Sequence, residues 1–141
     1  MTTPYVQTRQ LINNIALGNY ALFRNTGGSG NIATGYFSLC ANTTGNNNVA
    51  TGACSLRSNT IGSSNIAIGY NSLYSNTSGN NNTAVGLQSL YNTTGVNNTV
   101  VGYNSLCNNS TGGSNVAIGA EAGLNNSTGC CNIFIGASGG S

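Results

Sequence analysis

The residue types that perform most enzymatic chemistry are nearly absent from this chain. Among its 141 residues, Glu121 is the only acidic side chain, the basic side chains are Arg9, Arg24 and Arg57, and His, Lys, Asp and Trp do not occur. General acid–base catalysis needs a positioned proton donor and acceptor, and a nucleophile needs a nearby base. One carboxylate without a histidine supplies neither arrangement. We therefore expect no catalytic residues, no cofactor and no enzymatic activity.

Cysteines are the remaining reactive side chains, and they number five: Cys40, Cys54, Cys107, Cys130 and Cys131. The odd number and the irregular spacing are not typical of a secreted disulfide framework. A zinc site would need further Cys, His or carboxylate partners, so no metal site is expected. Free buried thiols are the first interpretation of these cysteines, and interchain disulfides are the second.

Charge and hydropathy argue against two classes of partner. The formal net charge is +2, and only 3% of the residues are charged. Three isolated arginines cannot neutralise a run of phosphates, so we expect no nucleic-acid binding. The apolar runs are far shorter than the ~20 residues of a membrane helix, so we expect no membrane insertion. The first residues are polar and do not resemble a secretory signal.

A repeat with a period of 17 residues dominates the sequence. An Asn opens each unit and a Gly lies four residues later, with a single interval of 16 residues between Asn82 and Asn98. The repeat defines a domain at residues 14–141, preceded by an N-terminal segment, residues 1–13, that includes a partial first coil. The opening residues of the eight coils are Asn14, Asn31, Asn48, Asn65, Asn82, Asn98, Asn115 and Asn132.

With the opening Asn as position 1, the unit is N-[IVT]-A-[ILVT]-G-x-x-[SA]-L-x-x-N-[TS]-x-G-x-x, most clearly at residues 65–81. Positions 2 to 4 alternate as in a strand, and we expect a second short strand at positions 7 to 10. Gly at position 5 and the N-[TS]-x-G segment, which includes Asn92, are expected to form the corners. The sequence predicts an all-β parallel β-solenoid of eight coils.

The column of opening Asn residues is expected to have a structural role. A side-chain amide both donates and accepts hydrogen bonds, so aligned Asn residues can bond from coil to coil and to the turn backbone. We therefore predict a structural Asn ladder along the whole solenoid.

The alternation at positions 2 to 4 leaves the inner face of the coil undecided. Positions 2, 4 and 9 are aliphatic, whereas position 3 is nearly always Ala. Either the aliphatic residues fill the coil and the Ala column lies outside, or Ala fills a thin coil and the aliphatic stripes lie outside. Both arrangements leave an apolar stripe on the surface, which favours association with other chains.

Two further columns suggest alternative functions. Position 10 contains the aromatic residues Phe23, Tyr74 and Tyr91, which could form an interface or a glycan-binding stripe. A glycan-binding adhesin module is therefore one alternative function. A regular Thr column makes an ice-binding solenoid a further alternative; its members are Thr26, Thr43, Thr60, Thr77 and Thr93.

The run from Ile66 to Ser72, IAIGYNS, resembles the head repeat of trimeric autotransporter adhesins. The segment from Asn82 to Gly95 is similar to repeat arrays in tail and surface fibres of phages, giant viruses and bacteria. The resemblance implies a left-handed parallel β-roll with three chains side by side, acting as a structural fibre or filament with a possible adhesive role. It also implies a virion-surface or extracellular location. The expected partners are further copies of the chain, as homotrimers or in head-to-tail stacks, and a surface receptor or glycan.

Overall fold

A computed structural model describes residues 13–137 as one stack of eight parallel strands in sequence order. The predicted all-β parallel β-solenoid is confirmed, whereas its left-handedness and the homotrimer stay predictions. Expectations for residues 1–12 and 138–141 lie outside the described residues. The strands are β1 (Ile15–Leu17), β2 (Ile32–Thr34), β3 (Val49–Thr51), β4 (Ile66–Ile68), β5 (Thr83–Val85), β6 (Thr99–Val101), β7 (Val116–Ile118) and β8 (Ile133–Ile135).

Equivalent repeat positions pair with one another in every strand. Ala67 of β4 is opposite Ala84 of β5, which in turn is opposite Val100 of β6. The 16-residue coil therefore keeps the register of its neighbours. Seven steps of ~4.8 Å between eight strands give a stack about 34 Å long.

The interior of the coil contains Ala and Leu, and the aliphatic stripes of positions 2 and 4 lie outside. Ala67 and Leu73 are both fully buried, whereas Ile66 and Ile68 are exposed. Positions 2 to 4 follow the thin-coil arrangement, the second of the two that the sequence allowed, but the Leu of position 9, which that arrangement placed outside, lies inside. A single Ala and a single Leu per coil leave little apolar volume inside, so apolar burial alone is a weak source of stability.

Polar residues make up the larger part of the coil interior. In the fourth coil Asn65, Ser72 and Asn76 are as fully buried as Ala67 and Leu73. Ser72 Oγ donates to the Gly69 carbonyl at 3.0 Å. Because a buried polar group without a partner is costly, the hydrogen bonds of these side chains are a condition for the fold.

The predicted second strand at positions 7 to 10 is wrong. These positions form turns, because positions 7 and 9 adopt positive φ, as at Asn71 (55°) and Leu73 (50°). The backbone nevertheless bonds to both adjacent coils. Asn71 N–H donates to the Ala53 carbonyl at 3.1 Å, and Leu73 N–H donates to the Ser89 carbonyl at 3.1 Å. Each unit is thus one strand followed by hydrogen-bonded turns.

Gly at position 5 forms a corner, as predicted. Gly35 has a φ of 130°, and a Cβ there would lie 2.7 Å from the carbonyl carbon of Gly52 in the next coil. Backbones of successive coils therefore touch at this corner, where a side chain has no room. The Asn of the second corner acts through its side chain, since Asn76 Nδ2 donates to the Gly79 carbonyl at 3.0 Å.

Candidate functional site

The predicted Asn column lies inside the solenoid and forms a continuous hydrogen-bonded ladder. Asn65 Nδ2 donates to Asn48 Oδ1 at 3.1 Å and to the Gly79 carbonyl at 2.9 Å. Asn65 Oδ1 accepts from the backbone N–H of Asn82 at 3.0 Å and from its side chain at 3.2 Å. The same pattern runs from Asn14 at one end to Asn132 at the other. These amides are bonded within the protein, so the ladder is a structural element and not a ligand site.

A second Asn ladder, at position 12, is interrupted in the 16-residue coil. Asn76 Nδ2 donates to Asn59 Oδ1 at 3.0 Å, but Thr93 takes the next place on the ladder and accepts from Asn109 Nδ2 at 3.3 Å. The assignment of Asn92 to this column is therefore wrong by one residue, and Asn92 is exposed. A second break follows toward the next coil, where Asn126 Nδ2 donates to the Gly129 carbonyl at 3.2 Å and Asn109 Oδ1 is buried without a hydrogen-bond partner.

Hydroxyl groups of the Thr column proposed for ice binding donate hydrogen bonds to backbone carbonyls of the next coil. Thr43 Oγ1 donates to the Thr60 carbonyl at 2.9 Å, and Thr60 Oγ1 donates to the Thr77 carbonyl at 3.0 Å. In the 16-residue coil Thr94 continues this column instead of Thr93, with a bond of 3.1 Å to the Ser110 carbonyl. These hydroxyl hydrogens are directed along the solenoid rather than outward.

The outward side chains of the eight strands form one apolar surface, the outer sheet face. Ile66 and Ile68 of β4 are 39% and 42% exposed on either side of the buried Ala67. The equivalent positions in the other strands carry only Ile, Leu, Val or Thr. Exposed tyrosines at position 6 border this face, as at Tyr70. The outer sheet face is therefore uncharged along the full ~34 Å stack.

A second surface feature is a cluster of arginine and aromatic side chains, the arginine cleft, defined by Arg24, Phe37, Cys40, Arg57 and Tyr74. Arg57 Cζ lies 4.9 Å from the Phe37 ring centroid and 5.6 Å from that of Tyr74. Arg57 Nη1 donates to the Tyr74 hydroxyl at 2.7 Å. These side chains line an open cleft of about 440 Å³.

The arginine cleft is not visible when the columns of the repeat are compared one at a time. Arg24 is at position 11 of the first coil, whereas Arg57 is at position 10 of the third. Their long side chains start two coils apart and reach a common space. The available signal was the presence of two of the three basic residues on the same turn of the repeat.

Of the three aromatic residues predicted to share a column at position 10, only two contact each other. Tyr74 and Tyr91 stack with ring centroids 5.0 Å apart and an interplanar angle of 5°. Phe23 instead contacts Tyr20 edge-on, with centroids 5.3 Å apart. Because Tyr74 lies between Arg57 and Tyr91, its ring faces are covered by protein. A glycan that stacked on the face of Tyr74 would have to displace one of them.

The five cysteines form no disulfide within the chain and differ in exposure: Cys40, Cys54 and Cys107 are half-buried, whereas Cys130 and Cys131 are exposed. The interpretation as buried thiols is therefore wrong for the last two. Interchain disulfides stay a prediction. Burial raises the pKa of Cys40 and of Cys107. Within residues 13–137, no cluster of three or more His, Cys, Asp or Glu side chains could hold a metal ion.

The fold and its surfaces define this chain as a parallel β-solenoid repeat protein. Comparison with protein-family models, with curated proteins and with solved structures found no match. The described part of the chain contains no helix long and apolar enough to cross a membrane.

Proposed function

We propose that this chain is a self-associating structural β-solenoid, the building block of a fibre or filament on a virion or cell surface. The observation that carries the proposal is the outer sheet face, where the Ile, Leu, Val and Thr side chains of positions 2 and 4 point outward on every strand in the same register and flank a buried Ala or Val on β2 to β7. Monomeric proteins rarely expose a contiguous apolar surface of this extent. The proposal includes the homotrimer that the repeat resemblance implies.

The geometry of the outer sheet face favours another copy of the same chain as its occupant. Its side chains repeat with the ~4.8 Å spacing of the strands, and an identical face has the same period. The face carries no charge that would orient a charged partner. Association of identical faces through a symmetry axis buries the same columns on each chain.

Light scattering combined with electron microscopy tests this proposal on the purified chain. Particles of about 43 kDa, three times the chain mass of 14.2 kDa, or longer filaments are expected. The double substitution Ile66→Lys with Ile68→Lys should reduce the assembly to single chains, because like charges would meet across the interface. A wild-type chain that stays at 14.2 kDa at all concentrations would contradict the proposal.

A matched control separates the outer sheet face from general surface effects. Ile61 is 58% exposed but lies in a turn outside the two outward columns, so Ile61→Lys should leave the assembly mass unchanged. Ile66→Thr with Ile68→Thr controls for folding, because Thr83 and Thr34 occupy the same two columns in other strands. Circular dichroism should show the same β-structure in all variants.

A further inference from the structure

The arginine cleft contains two positive charges without a neighbouring carboxylate. Arg24 and Arg57 both line it, on the first and third coils. Glu121, the chain's only acidic side chain, belongs to the seventh coil. Four coil steps of ~4.8 Å place its coil roughly 19 Å from that of Arg57, beyond the ~8 Å over which exposed charges interact at physiological salt. The cleft is therefore a positively charged site that no acidic side chain of its own chain neutralises.

Arg57 is held in position by its aromatic neighbours. Its guanidinium lies over Phe37, at 4.9 Å, and its Nη1 donates to the Tyr74 hydroxyl at 2.7 Å. That bond uses one of the five N–H donors of the group. A guanidinium fixed by stacking loses little freedom when its other donors bind a carboxylate in the two-bond geometry that arginine favours.

The cleft also has an apolar part. The half-buried Cys40 and Ala41 lie beside the two arginines in its lining. The Phe37 ring is covered by Arg57 and by Tyr20, which stacks on it with centroids 4.7 Å apart. Burial raises the pKa of the Cys40 thiol, whereas Arg24 and Arg57 act to lower it, so the field of both arginines reaches this residue. A ligand that fits such a lining has an anionic group and an apolar face.

We propose that the arginine cleft binds an acidic sugar, a pyranose that carries a carboxylate. The carboxylate binds between Arg24 and Arg57, the C–H face of the ring packs on Cys40 and Ala41, and a sugar hydroxyl bonds to the Tyr74 hydroxyl. An inorganic oxyanion would leave the apolar part of the cleft unused, and a neutral sugar would leave both charges unpaired. This binding site goes beyond the proposed fibre assembly and does not depend on it.

Titration calorimetry with trigalacturonate tests the proposal, and galactotriose serves as the neutral probe. Trigalacturonate should bind and galactotriose should not. Arg57→Gln should weaken trigalacturonate binding more than tenfold, because the oriented donors are lost. Arg24→Gln changes an exposed side chain and should weaken binding severalfold, which provides a second test if Arg57→Gln alters the fold.

Tyr74→Phe and Tyr91→Phe form a matched pair for the same titration. Each removes one hydroxyl from the stacked rings, but only Tyr74 lines the cleft. Tyr74→Phe should weaken binding, and Tyr91→Phe should leave it unchanged. Light scattering on the same samples should show an unaltered assembly mass, which separates a loss of binding from a loss of assembly.

Three results would overturn the assignment. Equal affinity for galactotriose would mean that charge has no part in recognition. Displacement of trigalacturonate by inorganic phosphate at an equal concentration would reduce the cleft to a simple anion site. Wild-type affinity in both arginine variants would place the sugar elsewhere on the chain.

Discussion

Buried side-chain amides determine stability at the scale of single residues. Asn65 takes part in hydrogen bonds to Asn48, Asn82 and the Gly79 carbonyl. Replacement by Ala would remove these bonds and leave donors and acceptors of the neighbouring coils unpaired in the interior. With about 1 kcal/mol lost for each of the four side-chain hydrogen bonds, Asn65→Ala should lower the free energy of unfolding by about 4 kcal/mol. Denaturant unfolding followed by circular dichroism measures this loss.

Asn108→Ala is the matched control for Asn65→Ala, because Asn108 is exposed. The control should change the free energy of unfolding by less than about 0.5 kcal/mol, as is usual for surface substitutions. A similar loss in both variants would mean that the ladder bonds contribute no more than exposed amides do.

The half-buried thiols make stability depend on pH in the alkaline range. Burial raises the pKa of Cys40 and of Cys107, because desolvation disfavours the thiolate. Because the pKa of each thiol is higher in the folded state than in the unfolded state, the protonated thiol adds to the free energy of unfolding. This contribution is fully present at pH values below the ordinary cysteine pKa of about 8.5. It is lost as the pH rises through the folded-state pKa values.

Urea unfolding at pH 7.5 and pH 10 tests this linkage against the variant Cys40→Ala with Cys107→Ala. The wild type should lose more stability between the two pH values than the variant does. The comparison is needed because the pKa of Tyr91 is also raised, chiefly by desolvation, and contributes to the pH dependence of both proteins. Parallel pH dependences in the two proteins would rule out the thiols as its source.

At the scale of the coil, two exceptions to the repeat compensate for each other. Gly123 replaces the Leu of position 9 in the seventh coil, and Phe134 replaces the Ala of position 3 in the eighth. A Cβ on Gly123 would lie 2.7 Å from the Phe134 ring, which packs against the buried core. The aromatic ring of one coil therefore fills the space that the missing leucine of its neighbour leaves.

A double-mutant cycle tests this compensation. Gly123→Leu and Phe134→Ala should each destabilise the chain by about 1–3 kcal/mol, the first through overpacking and the second through a cavity. The double variant restores the repeat consensus and should recover most of the loss. The φ of Gly123, 64°, is not an obstacle, since Leu106 adopts 46° in the same column. Additive effects in thermal or denaturant unfolding would mean that the two sites are independent.

The single strand of each coil was predictable from the sequence, but the conformation of the turns at positions 7 to 10 was not. Ile66, Ala67 and Ile68 show the alternation of a strand, and they form β4. That alternation is the same whichever face is buried, so only the structure places Ala67 inside. Leu73 adopts a φ of 50°, which is uncommon for a bulky residue, and bonds between coils hold it there. No local propensity indicates such a conformation.

The Asn ladder and the arginine cleft differ in how far the sequence reveals them. A ladder joins the same position in successive coils, as between Asn65 and Asn82, so the repeat alone brings its members together. The cleft joins Arg24 to Arg57 across different positions and coils. The two arginine side chains meet in the cleft because of their length and the directions in which they point. The sequence of a single repeat column does not contain this information.

At the scale of the whole molecule, the solenoid is a one-dimensional stack in which each strand pairs only with its neighbours in sequence. The stability of such a stack is approximately a sum of coil terms and nearest-neighbour interface terms. A single coil can then be removed if the chain rejoins in register. Ser64 precedes Asn65 as Asn81 precedes Asn82, and both Ser64 and Asn81 have a φ of 58°.

Deletion of residues 65–81, one full coil, should therefore leave a folded solenoid of seven coils. Asn82 would take the place of Asn65 on the ladder, and the Ala, Leu and Gly columns would stay aligned. The free energy of unfolding and its dependence on denaturant should both fall, since the surface buried on folding decreases. Deletion of residues 65–72 removes about half a coil, displaces Asn82 from the ladder and should abolish cooperative unfolding. Equal tolerance of both deletions would mean that the ladders do not determine the register, and that the 17-residue period is maintained by the turns of each coil alone.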